Sequence, residues 1–234
     1  MVLFENCTAI LRRYDAGGVV PPLDHELQLG AWETGTGGGV CFEAASAFGR
    51  LLSSLGYAVQ AVLAGISFPG SHQASLVELG GRRWLVDVAQ GSPLFEPILL
   101  EGAQEVWNAG LGYRAHPGDA LNEWVLDRWS DEGWQPFCRY PLSPPTAAET
   151  EAAYQRHHVP GQSFVVSTLR LVRLGDDEVW SLRGDDLTHF TPDGKRTETV
   201  GAANDDRLVA LFGLPALPLA RARRALAELL TPAG

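Results

Sequence analysis

The sequence predicts an α+β fold on three observations. A helix-period stretch follows a glycine-rich loop in the first quarter, short strands joined by tight turns fill the middle, and an amphipathic helix closes the chain. In the first stretch, Phe42, Ala45, Phe48, Leu51, Leu52 and Leu55 recur at helical spacing behind the loop Gly35-Thr36-Gly37-Gly38-Gly39. Gly56 stands where a helix usually ends in a left-handed residue. Cys41 is thereby placed on the first helical turn, where unpaired backbone N–H groups and the helix dipole favour a negative charge. The plainer alternative for a lone cysteine is a buried structural thiol.

In chain order, residues 2–14 read as a short helix, followed by a Gly- and Pro-rich loop over 17–22. After the Cys41 helix, the β-branched run 58–64 has strand length, 65–71 turns, and 73–79 gives a second strand. Gly80 and Gly81 make a tight hairpin that returns along 82–88, with Trp84, Val86 and Val88 on one face and Leu85 and Asp87 on the other. A further hairpin joins 123–129 to 133–140 through Ser130-Asp131-Glu132, and its tryptophans Trp124, Trp129 and Trp134 read as core or sheet-face packing. The prolines of 141–145 break the pattern before a helix over 147–155 and a loop through His157, His158 and Pro160. Strands follow over 163–174 and 178–182 around Gly175-Asp176-Asp177, and Pro192-Asp193-Gly194 is another turn. Helices over 205–212, stopped by Gly213, and over 219–230 end the chain.

Composition narrows the function. The chain has 234 residues and a net charge of −10, with no basic cluster longer than Arg221, Arg223 and Arg224, which opposes phosphate-backbone binding. No apolar run approaches the roughly 18 residues that a membrane span needs, and the first residues carry no secretory leader pattern. Cys7, Cys41 and Cys138 are far apart and without a C-x-x-C pair, which argues against a disulfide framework and against a metal site, and fits a reducing cytoplasm. Nucleic acid and membrane are therefore excluded as expected partners.

The chemistry rests on what can orient around Cys41. Asp87 is a carboxylate in the apolar strand Trp84-Leu85-Val86-Asp87-Val88, a poor place for aspartate. Antiparallel pairing around Gly80-Gly81 brings the start of one strand, at His72, beside the end of the other, at Asp87. A carboxylate beside an imidazole fixes its tautomer and stabilises the imidazolium, while the second ring nitrogen can face a thiol. Cys41, His72 and Asp87 thus form a candidate catalytic triad for acyl transfer, with an oxyanion held by backbone N–H groups near Cys41. Gly35-x-Gly37-Gly38-Gly39 lacks the preceding strand and following lysine of a nucleotide loop, so it reads as flexibility beside the nucleophile. His116, His157 and His158 read as solvated loop residues without a paired acid, and Glu43 either complements the helix dipole or joins a polar network.

These residues resemble the arylamine N-acetyltransferases, whose hallmark is R-G-G-x-C-x-E followed by a histidine and by an aspartate in a V-D-V strand. Here the pattern reads Gly37-Gly38-Gly39-Val40-Cys41-Phe42-Glu43, then His72, then Leu85-Val86-Asp87-Val88 after the family's interval of fifteen. Leu3-Phe4-Glu5-Asn6 resembles its P-F-E-N stretch, Ser163-Phe164 its S-x-F region, and Leu211-Phe212-Gly213-Leu214 its closing F-G-I segment. The resemblance implies a helical region (1–57) carrying the nucleophile, an antiparallel β-barrel (58–145) carrying His72 and Asp87, and an α/β lid (146–234), around a papain-like cysteine-enzyme core. It implies Cys41 as acyl-accepting nucleophile, His72 as base and Asp87 as orienter. The reaction would be a ping-pong transfer of an acetyl group from acetyl-CoA to an arylamine, hydrazine or other amine, without a metal. No cofactor-binding residue carries over. A related amide synthase or cysteine hydrolase with the same triad, or a binding module of the same fold, is the alternative. The motif's arginine is Gly37 here, which leaves Glu43 without its usual charge partner, and an aromatic pocket position of the family is Gln90. The chain begins near the P-F-E-N position, so the family's first helices are expected to be absent.

Overall fold

A computed structural model describes residues 3–91 and 94–231. The chain opens with strand β1 (Leu3–Glu5) and helices α1 (Cys7–Ala16), α2 (His25–Thr34) and α3 (Cys41–Ser54). Strands β2 (Ala58–Ala64), β3 (His72–Leu79), β4 (Arg82–Val86) and β5 (Ile98–Leu99) form one antiparallel sheet in chain order. A second sheet holds β6 (Gln104–Asn108), β7 (Leu111–Pro117), β8 (Glu123–Ser130) and β9 (Gly133–Pro141), and helix α4 (Ala147–His157) follows it. Strands β10 (Arg170–Leu174), β11 (Val179–Arg183), β12 (Asp186–Thr191) and β13 (Gly194–Thr199) form the third sheet before helices α5 (Asp205–Phe212) and α6 (Leu219–Leu230). Among the described residues, no helix is long and apolar enough to cross a membrane.

The mixed helix and sheet content agrees with the α+β expectation, and two details differ. The two central sheets touch at the Gly65–Arg139 bridge and remain separate, so they do not form the closed barrel that the resemblance implies. The start of the chain is a strand rather than the front of a helix: Leu3, Phe4 and Glu5 pair with Arg173, Val172 and Leu171 of β10, and Val2 lies outside the described residues. Such pairing across about three quarters of the chain carries no local sequence signal, whereas Asn6, which follows β1, shows why it holds. The Asn6 amide donates to the carbonyls of Val165 (2.8 Å) and Thr168 (2.6 Å) and accepts the N–H of Arg170 (2.7 Å), so one buried side chain satisfies a turn that would otherwise strand its backbone groups.

Packing follows the sequence patterns. Ala222 and Ala225 on α6 and Leu208 and Phe212 on α5 close against Ile10 of α1 and Leu171, Leu182 and Leu187 of the third sheet. A second core, with Leu76, Leu85, Leu126 and Tyr140, fills the space between the two central sheets. Trp124 belongs to that core, whereas Trp129 and Trp134 are ladder partners that meet Trp107 in tilted and edge-on contacts, with ring centroids 5.2–6.0 Å apart. The glycine turn ends β3 and begins β4 in the register Ser75↔Val86 to Leu79↔Arg82, and that register sets the site.

Candidate active site

Cys41 is the first residue of α3 and is 4% exposed; Val40 before it is extended and supplies no side-chain cap, so the first-turn N–H groups remain open to a ligand. The glycine loop in front is clamped from both sides. Glu5, fully buried, accepts the N–H groups of Gly38 (3.2 Å) and Gly39 (3.0 Å) at Oε1, and its own N–H donates to the Gly39 carbonyl (3.1 Å). From α2, Gln28 Nε2 (3.2 Å) and Trp32 Nε1 (3.0 Å) donate to the Gly38 carbonyl. Gly39 has φ +78°, and a Cβ there would lie 2.5 Å from Gln28 Oε1, so only glycine fits. The loop is thus a rigid seat for Cys41, and helix α2, which periodicity did not reveal, supplies half of it.

His72 begins β3 and Asp87 follows β4. Continuing the register one step beyond Ser75↔Val86 sets Asp87 opposite Ala74, diagonal to His72 on the same face. The Nε2–H of His72 donates to Asp87 Oδ2 at 2.7 Å, and both side chains are buried. The remaining ring nitrogen is Nδ1, and Cys41 lines the same cleft as His72, near enough for its thiol to help raise the imidazole pKa. Burial disfavours the imidazolium, but the charge and hydrogen bond of Asp87, with Cys41 adding, more than offset it, so His72 titrates well above an ordinary histidine. Burial raises the thiol of Cys7 well above its usual value and that of Cys138 to about 11.

Tyr140 is a site residue that local sequence reading missed. Its hydroxyl donates to the same Asp87 Oδ2 (2.8 Å) and accepts from Gln90 Nε2 (2.8 Å), so a carboxylate at 87 orders a chain from Gln90 through Tyr140 to His72. Asp87 Oδ1 accepts the Ala89 N–H (3.3 Å). The tyrosine reaches Asp87 from β9 across the gap between the central sheets, a contact with no sequence spacing to announce it. Its two-residue step from Cys138, which is buried on the same face, was the available signal.

His116, His157 and His158 differ from expectation. His157 and His158 are buried at the end of α4, since that helix packs behind the Cys41 helix. His157 donates Nε2–H to the Ser71 carbonyl (2.7 Å), accepts the Ser163 hydroxyl at Nδ1 (3.3 Å), and meets the Phe42 ring edge-on at 4.8 Å. It therefore holds the residue before His72 and is neutral, its pKa lowered by burial to about 4. His158 donates Nδ1–H to the Tyr154 carbonyl (3.0 Å) and is also lowered by burial. His116 does have a paired acid, Asp127, at 3.2 Å. A depressed histidine contributes stability at and above its unfolded value near 6.5, lost as pH falls toward the folded value near 4. His72, whose folded value is raised, contributes in the opposite sense, fully at acid pH and lost as pH rises through that value. Between about pH 6.5 and 4, His157 accordingly withdraws up to about 3 kcal/mol. Urea midpoints across that window are expected to fall more steeply in the wild type than in His157→Gln, which keeps a donor for Ser71 without titrating; equal slopes would refute this role.

Glu43, two residues past Cys41, has a charge partner after all. Arg12 of α1 forms an ion pair with it through Nη1, which also donates to the Tyr154 hydroxyl (2.8 Å), so helices α1, α3 and α4 share one buried contact. The place of the motif's arginine is taken from a different helix. A Cβ at Gly37 would stand 2.8 Å from Thr8 Cγ2, which leaves no room for a longer side chain there.

Above Cys41 and His72 opens a cleft of about 780 Å³ between the third sheet and strands β7 to β9. Phe4, Val172, Val179 and Phe190 form one apolar wall, Ile66, Leu111 and Phe137 the other, and Gln90 lies on the floor. A family model described as N-acetyltransferase matches residues 34–214, a range that includes Cys41, His72 and Asp87. The chain is 28% identical over 163 residues to the arylamine N-acetyltransferase of Escherichia coli (strain K12), a match covering 65% of this chain and 57% of that relative. In structure it resembles the arylamine N-acetyltransferase from Mycobacterium abscessus (TM-score 0.83, 23% identity, 99% of this chain and 84% of that one). It also resembles the Mycobacterium marinum arylamine N-acetyltransferase solved in complex with CoA (TM-score 0.78, 23% identity, 97% and 86%). By the family match over most of its length, with the fold agreeing, this chain belongs to the arylamine N-acetyltransferase family.

Proposed function

We propose that this protein is a thiol-dependent acyltransferase, moving an acetyl group from acetyl-CoA to an amine through an acyl-Cys41 intermediate. The observation that carries the reading is the buried line Asp87–His72–Cys41 opening onto a substrate-sized cleft. Donor thioester enters the cleft, Cys41 passes its thiol proton to His72 Nδ1, and the sulfur attacks the acyl carbon. First-turn N–H groups of α3 hold the oxyanion of the tetrahedral intermediate. Collapse breaks the carbon–sulfur bond to the leaving thiolate, which takes the proton back from His72. An amine then attacks the Cys41 thioester, His72 accepts the ammonium proton, and collapse releases the amide and returns that proton to Cys41. The CoA complex of the M. marinum relative supports CoA as the donor's carrier. The regions 1–57, 58–145 and 146–234 are read as nucleophile bearer, bearer of His72 and Asp87, and lid, working in the cytoplasm on diffusible substrates.

The test is incubation with acetyl-CoA followed by intact mass and peptide mapping. One acetyl on Cys41, and none on Cys7 or Cys138, is the expected result; label on all three or on none would overturn the reading. Rapid loss of the label to water without an amine would identify a hydrolase instead.

Gln90 bears on the acceptor. In place of an aromatic ring, its amide is committed to Tyr140, so an arylamine loses a stacking surface. Gln90→Phe is expected to raise transfer to plain arylamines about threefold to tenfold relative to alkylamines. Efficient arylamine turnover by the wild type, unchanged by the substitution, would refute that.

A further inference from the structure

On the cleft wall, cationic side chains outnumber carboxylates. Arg128, Arg170, Arg183 and Lys195 line it, against the carboxylates of Asp131 and Asp186, an excess of cations in a chain whose net charge is −10. Among the described residues none of the three arginines is in an ion pair, although arginines elsewhere on the surface, such as Arg82 with Glu101 and Arg207 with Glu198, are. Two of the guanidiniums sit over aromatic rings. Arg170 lies over the Phe164 ring at 5.2 Å and Arg128 over Phe137 at 4.7 Å, and both rings line the cleft. Stacking uses the flat face of a guanidinium and leaves its N–H edge free, which is the edge that grips two oxygens of a carboxylate or phosphate.

Arg170 is the most constrained of the set. Its backbone is fixed between Asn6 and the β10 ladder, and its Nε is buried without a hydrogen-bond partner. Burial lowers its pKa, and the neighbouring charges of Arg183 and Arg128 lower it further, a mutual repulsion that an anion between them would relieve. A buried unpartnered donor is costly, and at a cleft wall an anionic ligand is what would complete it.

We propose that Arg170, with Arg183 and Arg128, is an oxyanion-binding site on the third-sheet wall of the Cys41 cleft, receiving a phosphate or carboxylate group carried by a substrate. This rests on the acyl-transfer reading only for the source of the anion, which is either a donor's phosphate groups or a carboxylate on the acceptor. Binding of the anion itself does not depend on turnover.

The site is tested first without chemistry. Inorganic pyrophosphate and benzoate are titrated into the full chain at fixed ionic strength by calorimetry, for the wild type, Arg170→Gln, Arg183→Gln and the surface control Arg82→Gln. Saturable binding of one or both anions is expected, weakened about tenfold to a hundredfold by Arg170→Gln and Arg183→Gln and unchanged by Arg82→Gln. Arg183 is exposed and unpaired, so its variant keeps the test valid should Arg170→Gln fail to fold. The second arm separates the sources. A raised KM for acetyl-CoA with no change for phosphate-free acetyl-pantetheine assigns the anion to the donor, and a raised KM for an aminobenzoate with no change for aniline assigns it to the acceptor. Absence of saturable binding, or equal binding in all variants, overturns the site whether or not Cys41 acylates. If no thioester acylates Cys41 while the anion still binds in an arginine-dependent way, the site stands and the acyl-transfer reading falls.

Discussion

Replacing His72 with alanine is expected to leave Cys41 unacylated by any thioester donor, and Asp87→Asn to slow acylation by roughly 10²–10⁴ in a protein that remains folded. The first variant removes the proposed base for the thiol. The second keeps the shape of the side chain but substitutes an amide for the acceptor of the Nε2–H bond, so the imidazole turns toward the wrong tautomer and its charged form loses its counter-ion. Tyr140 sharpens the expectation, because its hydroxyl also donates to Asp87 Oδ2 and both donors lose the same carboxylate. Burst-phase release of CoA, with intact mass as a check on the acyl-enzyme, measures both. His157 cannot stand in as the base, since it spends both ring nitrogens on Ser71 and Ser163. Wild-type acylation in His72→Ala would therefore remove the triad assignment altogether.

The adjacency of His72 and Asp87 was legible because a hairpin converts sequence distance into spatial distance: once Gly80-Gly81 is a turn, the register follows by counting. The place of Cys41 at a helix start was legible from a glycine run followed by helical periodicity. What stayed hidden depends on contacts between elements far apart in the chain. Glu5 clamps the glycine loop from β1, Tyr140 reaches Asp87 from another sheet, and Arg12 supplies from α1 the charge that the motif's Gly37 cannot. Strands β12 and β13 were visible only through their turn, because β13 is exposed along its length and carries Lys195, Arg196 and Glu198 in place of an apolar face. His157 and His158 read as solvated because polar residues near Pro160 resemble a loop, and their burial is decided by α4 packing on α3.

The contact from Arg12 to Glu43 leads to the other large effect. Arg12→Ala is expected to destabilise the protein by about 3–5 kcal/mol, since the Glu43 side chain, 2% exposed, becomes an unpaired buried charge. At about 2–4 °C per kcal/mol for a chain of this size, the melting temperature falls by roughly 6–20 °C. The loss is not confined to stability, because Glu43 is on the first turn of the helix that begins at Cys41, and a shift of about 1 Å at a nucleophile can cost about a hundredfold in rate. Two further variants separate charge from packing. Arg12→Met with Glu43→Leu removes both charges at similar volume and is expected to recover most of the melting temperature. Gly37→Arg, which restores the motif's arginine, is expected not to rescue Arg12→Ala, because any Cβ at position 37 collides with Thr8 and displaces the loop that Glu5 holds. Calorimetric melting with acylation rates measured on the same samples decides it. An Arg12→Ala protein that melts within a degree of the wild type, or one that Gly37→Arg restores, would mean that Glu43 does not depend on α1 and that the motif's own arrangement is still available to this chain.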